Sequence, residues 1–338
     1  MKLTLYSLLL LFSFGCKQNI DKHFKVSPDK IINVSNQIID IETDLLFAYP
    51  IPKISNKYLF IIDPLIPQEK KIHVFDKVSL KHIGSIGITG EGPGELSNTG
   101  DFALTPNQED LWIPDFAKLK LFKFNIDSAL NSEDYLPYYS NDFENDFFLS
   151  EFQFINENIA IGKGIEVLSS NSFRARIGKW NIQTGKIDKF GEEHPLLLNE
   201  RTNGYFDYSE KHKLMAFAYI SHDVLTVLDP DGIILFNIYG PKEFDNENRK
   251  LHFFSQVFFT DNYIITSYLG DYAFEFDNNK NPKSVQPSKI LIFNLNGELV
   301  KAYETDYQIW KYIIDEENKR IICSFMDREQ PLGYFQYD

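Results

Sequence analysis

Residues 58–76 read YLFIIDPLIPQEKKIHVFD: two apolar runs rich in β-branched and aromatic residues, separated by a polar, proline-containing turn. Runs of this length and composition are strands. The pair returns about every fifty residues. Its first member recurs as DLWIPDF (110–116), NIAIGKG (158–164), LMAFAYI (214–220), YIITSYL (263–269) and RIICSFM (320–326). Its second recurs as KLKLFKFN (118–125), RARIGKWN (174–181), VLTVLD (224–229) and KILIFN (289–294). A repeat of this length, with several strands per unit, describes a β-propeller, in which each blade buries its faces against its neighbours. The expected fold is all-β, a six-bladed β-propeller with four antiparallel strands per blade.

Working outward, the innermost strands are expected near 45–54, 99–105, 147–156, 203–208, 252–260 and 307–315. Asp231-Gly232, Asn296-Gly297 and Thr184-Gly185 each join two apolar runs at equivalent places in successive blades, as hairpin turns do. The sixth blade runs out of chain after GYFQYD (333–338), so its outer strand is expected from IINVSNQIIDI (31–41). An N-terminal strand would then close the ring and remove an open sheet edge.

The composition fits. Phe (30) and Tyr (18) are abundant and Met (3) is scarce, as suits short half-buried strands in a chain of 338 residues. A formal net charge of −14 without any basic stripe argues against nucleic-acid binding. The seven histidines are scattered and form no zinc-ligand spacing. Acidic loops are plentiful, but none has the spacing of a calcium loop. There is no Gly-x-Ser-x-Gly elbow.

The chain starts MKLTLYSLLLLFSFGC, a lysine and a short apolar core ahead of Gly15 and Cys16. That is an export signal, too short to span a bilayer, for which about 20 residues are needed. Its end resembles a bacterial lipoprotein cleavage box, with Phe14 a departure from the pattern. The resemblance implies a signal peptide over 1–15 and a lipid on Cys16; the alternative is an ordinary signal peptide with an incidental cysteine. Residues 16–30 then read as a flexible polar tether and 31–338 as the propeller. Cys323 is the only other cysteine, so a lipidated Cys16 leaves no disulfide.

Between the first two blades stands GITGEGPGE (87–95), with Gly90, Gly92, Pro93, Gly94 and Glu95. Successive glycines can form an anion-binding nest. The loop lacks the Gly-Lys-Ser/Thr ending of a phosphate loop, however. The simpler reading is a tight crossover in which Glu95 satisfies backbone donors. The segment resembles the Gly-x-Gly-Pro-Gly-Glu stretch of TolB-like six-bladed propeller lipoproteins of Bacteroides-type bacteria. That resemblance implies a fold and a cell-envelope location, periplasmic or at the surface, and transfers no catalytic residue.

In a propeller the crossovers between blades and the turns between second and third strands share one end. The loops 88–98, 126–146, 192–202 and 270–288 are therefore expected there. Long loops in compact domains are usually functional or disordered. The candidate ligand-binding residues are Glu95, Asp101, Tyr138, Arg201, Tyr205, Asp271 and Tyr272. The primary expectation is a monomeric binding module without chemistry or cofactor of its own, taking a glycan, a peptide or an envelope protein. The rival is a calcium-dependent hydrolase or lactonase with Asp101, Glu151 and Asp207 near an axial metal. A third reading is a structural partner in an outer-membrane uptake complex.

Overall fold

In a computed structural model the described residues are 21–137, the backbone of 139–142, 147–170, 172–198, 200–242 and 250–337. The strands form six blade sheets in sequence order and one separate two-stranded hairpin. Blade 1 comprises Ile51–Ile54, Tyr58–Ile62, Lys70–Asp76 and His82–Ile88. Blade 2 has Ala103–Leu104, Asp110–Asp115, Lys120–Asn125 and Tyr139–Asp142; blade 3 has Phe147–Asn156, Ile159–Ser169, Ser172–Asn181 and Ile187–Lys189. Blade 4 has Gly204–Ser209, Leu214–Tyr219, Val224–Leu228 and Ile234–Tyr239; blade 5 has Leu251–Phe259, Tyr263–Tyr272, Lys289–Asn294 and Leu299–Glu304. Blade 6 has Ile309–Asp315, Arg320–Phe325 and Leu332–Gln336, and Ile39–Asp40 pairs antiparallel with the last of these as its outer strand.

The second and third strands are buried on both faces because blades stack face to face. Each interface holds its own apolar cluster. Phe60 and Ile62 meet Leu111 and Phe124 between blades 1 and 2, and Trp112 meets Phe152 and Trp180 between blades 2 and 3. The ring closes where Leu59, Ile61 and Phe75 of blade 1 pack on Ile313, Ile322 and Leu332 of blade 6. The three expected hairpin turns carry glycines at φ +73° (Gly185), +83° (Gly232) and +81° (Gly297), a conformation in which a side chain would be strained.

Three expectations need correction. Residues 31–41 do not form one outer strand: Ile31–Asn33 instead adds a fifth, parallel strand to blade 5. The tether reading of 16–30 fails from residue 21 onward. Lys22–His23 pairs in parallel with Ile238–Tyr239 on the outer edge of blade 4, and Phe24 is buried between blades 4 and 5 against Phe254, Tyr268 and Phe293. The N-terminal segment is thus a belt across three consecutive blades. The segment 126–146 is also not a single crossover. It contains a short helix, Ile126–Leu130, and then the outer strand of blade 2. The connection carrying Tyr135 therefore belongs to the opposite end of the ring.

Aspartates at the ends of second strands fix the loop-rich end. Asp63 accepts from the N–H groups of Ala48 and Tyr49 in the crossover before its blade and of Leu65 in its own turn. Asp115 does the same for Ser97 and Ala117, and Asp327 accepts from Gln308. Such charge-assisted bonds to backbone donors hold the rim without a disulfide.

Candidate functional site

The inner strands of the six blades surround the axis, and their residues line a cavity of about 240 Å³ that opens on the loop-rich end. Its wall takes Ile51 and Lys53 from blade 1, Thr99 to Asp101 from the approach to blade 2, and Glu151 and Gln153 from blade 3. Tyr205 and Asp207 come from blade 4, Gln256 from blade 5 and Lys311 from blade 6. Alternation along a strand explains the pattern. Lys53 in IPKI and Asp207 in GYFDYS point to the axis while their neighbours point into the blades.

Two ion pairs stand in the throat. Lys53 Nζ lies 2.6 Å from Asp101 Oδ2, and Lys163 Nζ lies 2.6 Å from Glu151 Oε1. Lys311 Nζ donates to the Tyr205 hydroxyl at 2.7 Å and stands 4.2 Å from that ring's centre, with Lys163 at 5.2 Å. Asp207 accepts from the Gln153 carboxamide and, at 2.7 Å, from the Phe259 N–H.

These environments separate the carboxyl groups. Burial pushes Asp207 up to about 6, only partly offset by the bonds from Phe259 and Gln153. Burial acts on Glu151 in the same sense, but Lys163, Lys311 and Lys53 outweigh it and hold the group below the usual carboxylate range. Burial would lower the ammonium groups of Lys53 and Lys163; Asp101 and Glu151, respectively, lead the interactions that hold both above the usual range.

The structure brings Asp101 and Tyr205 into this throat, together with Glu151 and Asp207 of the rival expectation. Arg201 lines a separate outer groove with Phe173, Thr202 and Asn203. Asp271 and Tyr272 stand on the exposed rim, where Lys242 approaches Asp271 to 4.0 Å. Tyr138 and Cys16 lie outside the described residues.

Glu95 faces its own loop. Its Oε2 accepts from the Gly92 N–H at 2.7 Å, and its carboxylate fills the space that a Cβ at Gly90 would need. Lys118 braces the same loop, donating to the carbonyls of Gly90, Gly92 and Glu95 at 3.2, 2.9 and 2.7 Å. The crossover reading of the glycine-rich loop accounts for all of these contacts.

Lys53, Lys163, Lys311, Gln153 and Gln256 are absent from the sequence-based candidates. The available signal is a charged or amide side chain interrupting an otherwise apolar inner strand, as in IWKYII. Among the described residues no group of three His, Cys, Asp or Glu is arranged to hold a metal ion.

Comparison with known proteins agrees with this architecture. A solved structure from Bacteroides vulgatus, a member of the DUF4221 family, superposes with a TM-score of 0.57 at 13% identity, covering 87% of this chain and 92% of that one. A putative exported protein from Bacteroides fragilis NCTC 9343 gives 0.52 at 14% identity, covering 89% and 87%. At such identities the likeness is one of fold. No curated protein matches the chain. The model of the TolB-like 6-blade propeller-like family matches residues 27–317, and with six blades closed into a ring the chain belongs to that family.

Proposed function

We propose that this protein is an exported, lipid-anchored propeller that binds a small saccharide in its axial throat. The observation that carries the reading is the wall of that throat. Ammonium, carboxylate, carboxamide and phenol groups from five inner strands and from the approach to the sixth surround one cavity of about 240 Å³. A sugar hydroxyl both donates and accepts, so it can insert between a lysine and its carboxylate without leaving either unpaired. Export is supported by residues 1–16 and by the fold shared with a putative exported protein.

The test is isothermal titration with neutral and acidic mono- and disaccharides, on the chain and on Lys311→Met and Glu151→Gln. A saccharide that binds the chain and loses at least tenfold in affinity to both variants supports the reading. Binding unchanged in both, or none across the set, overturns it.

The divided protonation of Asp207 and Glu151 favours a second reading, hydrolysis, in which one carboxyl group donates a proton and the other stays ionised. Released product in the same titrations, lost in Asp207→Asn, would move this reading ahead of simple binding.

A further inference from the structure

We propose that the propeller rests on the bilayer through the rim of blades 3 to 5, with the exposed apolar side chains of two hairpins in the lipid interface; the inference takes from the preceding section that Cys16 carries the lipid. The first observation is where the belt begins. Asp21 Oδ1 accepts from both the backbone and the side-chain N–H of Asn237 at 3.0 Å, and Lys22–His23 continues as a strand on Ile238–Tyr239. The chain is thus fixed to the outer edge of blade 4 from residue 21. Five Cα steps separate Cys16 from Asp21. Fully extended they reach about 17 Å, less than the width of a small domain. A lipid on Cys16 therefore holds the blade 4 edge at the membrane surface.

The second observation is what flanks that edge. The central hairpin of blade 3 runs to Ser169 and Ser172, with Leu168 and Phe173 each 50% exposed beside its tip. In blade 5 the strands Phe274–Phe276 and Pro282–Ser284 form a separate hairpin. Tyr272, Phe274 and Phe276 follow the period of a strand, and the two phenylalanines are 56% and 72% exposed. Glu275 pairs with Lys283 at 3.5 Å between them. A lone two-stranded hairpin is marginal in water, and two exposed phenylalanines on it, with Tyr272 just before it, are a poor surface to leave wet. Phe and Leu side chains bury at the headgroup–acyl boundary, and Tyr favours the membrane–water interface. Both hairpins join second to third strands, so both project from the loop-rich end, one on each side of the anchored blade. With a net charge of −14, the contact with lipid has to be apolar rather than electrostatic. This tilts the throat toward the bilayer and leaves the blade 1 and 6 side of its mouth open.

The test uses the full chain, processed in its host, purified in detergent and reconstituted into zwitterionic phospholipid vesicles with brominated acyl chains. A fluorophore is placed on Leu168→Cys, Phe274→Cys or, as a control at the other end of the ring, Val78→Cys. Val78 is 71% exposed and Cys323 is buried. The proposal expects quenching of at least twofold at 168 and 274 and none at 78. Equal signals at all three positions overturn it, whether they reflect a protein partner, a glycan or no occupant at the rim. Mass spectrometry of the N-terminal peptide reads the anchor separately. Lipid on Cys16 with equal signals removes the docking and keeps the anchor. No lipid with quenching retained at 168 and 274 removes the anchor and keeps the docking.

Discussion

Asp207 shows how one side chain in the throat bears on stability. Its carboxyl is buried and pushed up to about 6 from an ordinary 3.8. Between those values the folded chain holds a proton that the unfolded chain releases. Stability from this group is therefore greatest below about pH 4, falls as pH rises through 6, and is level above that. Asp207→Asn removes the dependence. The unfolding free energy of the variant relative to the parent should rise by up to about 3 kcal/mol between pH 4 and pH 7, at 1.36 kcal/mol per pKa unit. Urea denaturation at the two pH values measures it, and a constant difference would contradict the assignment. The comparison must be made between variants. His252, which burial lowers to about 4, acts in the opposite sense, losing stability as pH falls below its ordinary 6.5.

At the scale of elements, the second and third strands were legible because they are buried on both faces and read as unbroken apolar runs. The inner strands were located less well. Two of the expected starts, at 45 and 99, precede the observed Ile51 and Ala103; the apolar LLFAY (45–49) reads as strand although its Ala48 and Tyr49 N–H groups bond Asp63 in the crossover. The belt was illegible for another reason. Its strands are two or three residues long, pair in parallel with blades far away in sequence, and present polar side chains such as Lys22 and Asn33. Phe24 is its one buried aromatic among the described residues, meeting three rings edge-on at 5.3 to 6.0 Å. Phe24→Ala should destabilise the fold by about 3–5 kcal/mol if the site cannot collapse, as buried Phe truncations do. Hydrogen exchange should then show the amides of 22–24 opening ahead of those of blade 4. A variant that melts with the parent would mean that the belt lies on the ring without supporting it.

For the whole molecule, the question is what keeps a ring of six sheets closed. Two devices act at the junction of blades 6 and 1. One is the apolar cluster joining Leu59, Ile61 and Phe75 to Ile313, Ile322 and Leu332. The other is the strand exchange, in which Ile39–Asp40 covers Leu332–Gln336 and the buried Ile41 donates its N–H to the Leu332 carbonyl. Two truncations separate their roles. A chain starting at residue 28 loses Phe24 but keeps the exchanged strand. It should stay monomeric and melt several degrees lower, at roughly 2–4 °C per kcal/mol. A chain starting at residue 42 also loses the exchanged strand and leaves the backbone of Leu332–Gln336 as an open edge, which invites pairing with another molecule. It should dimerise or aggregate in light scattering at concentrations where the longer chain is monomeric. If both truncations are monomeric and melt together, the cluster alone closes the ring, and the N-terminal strand serves only to position the belt that leads back to blade 4.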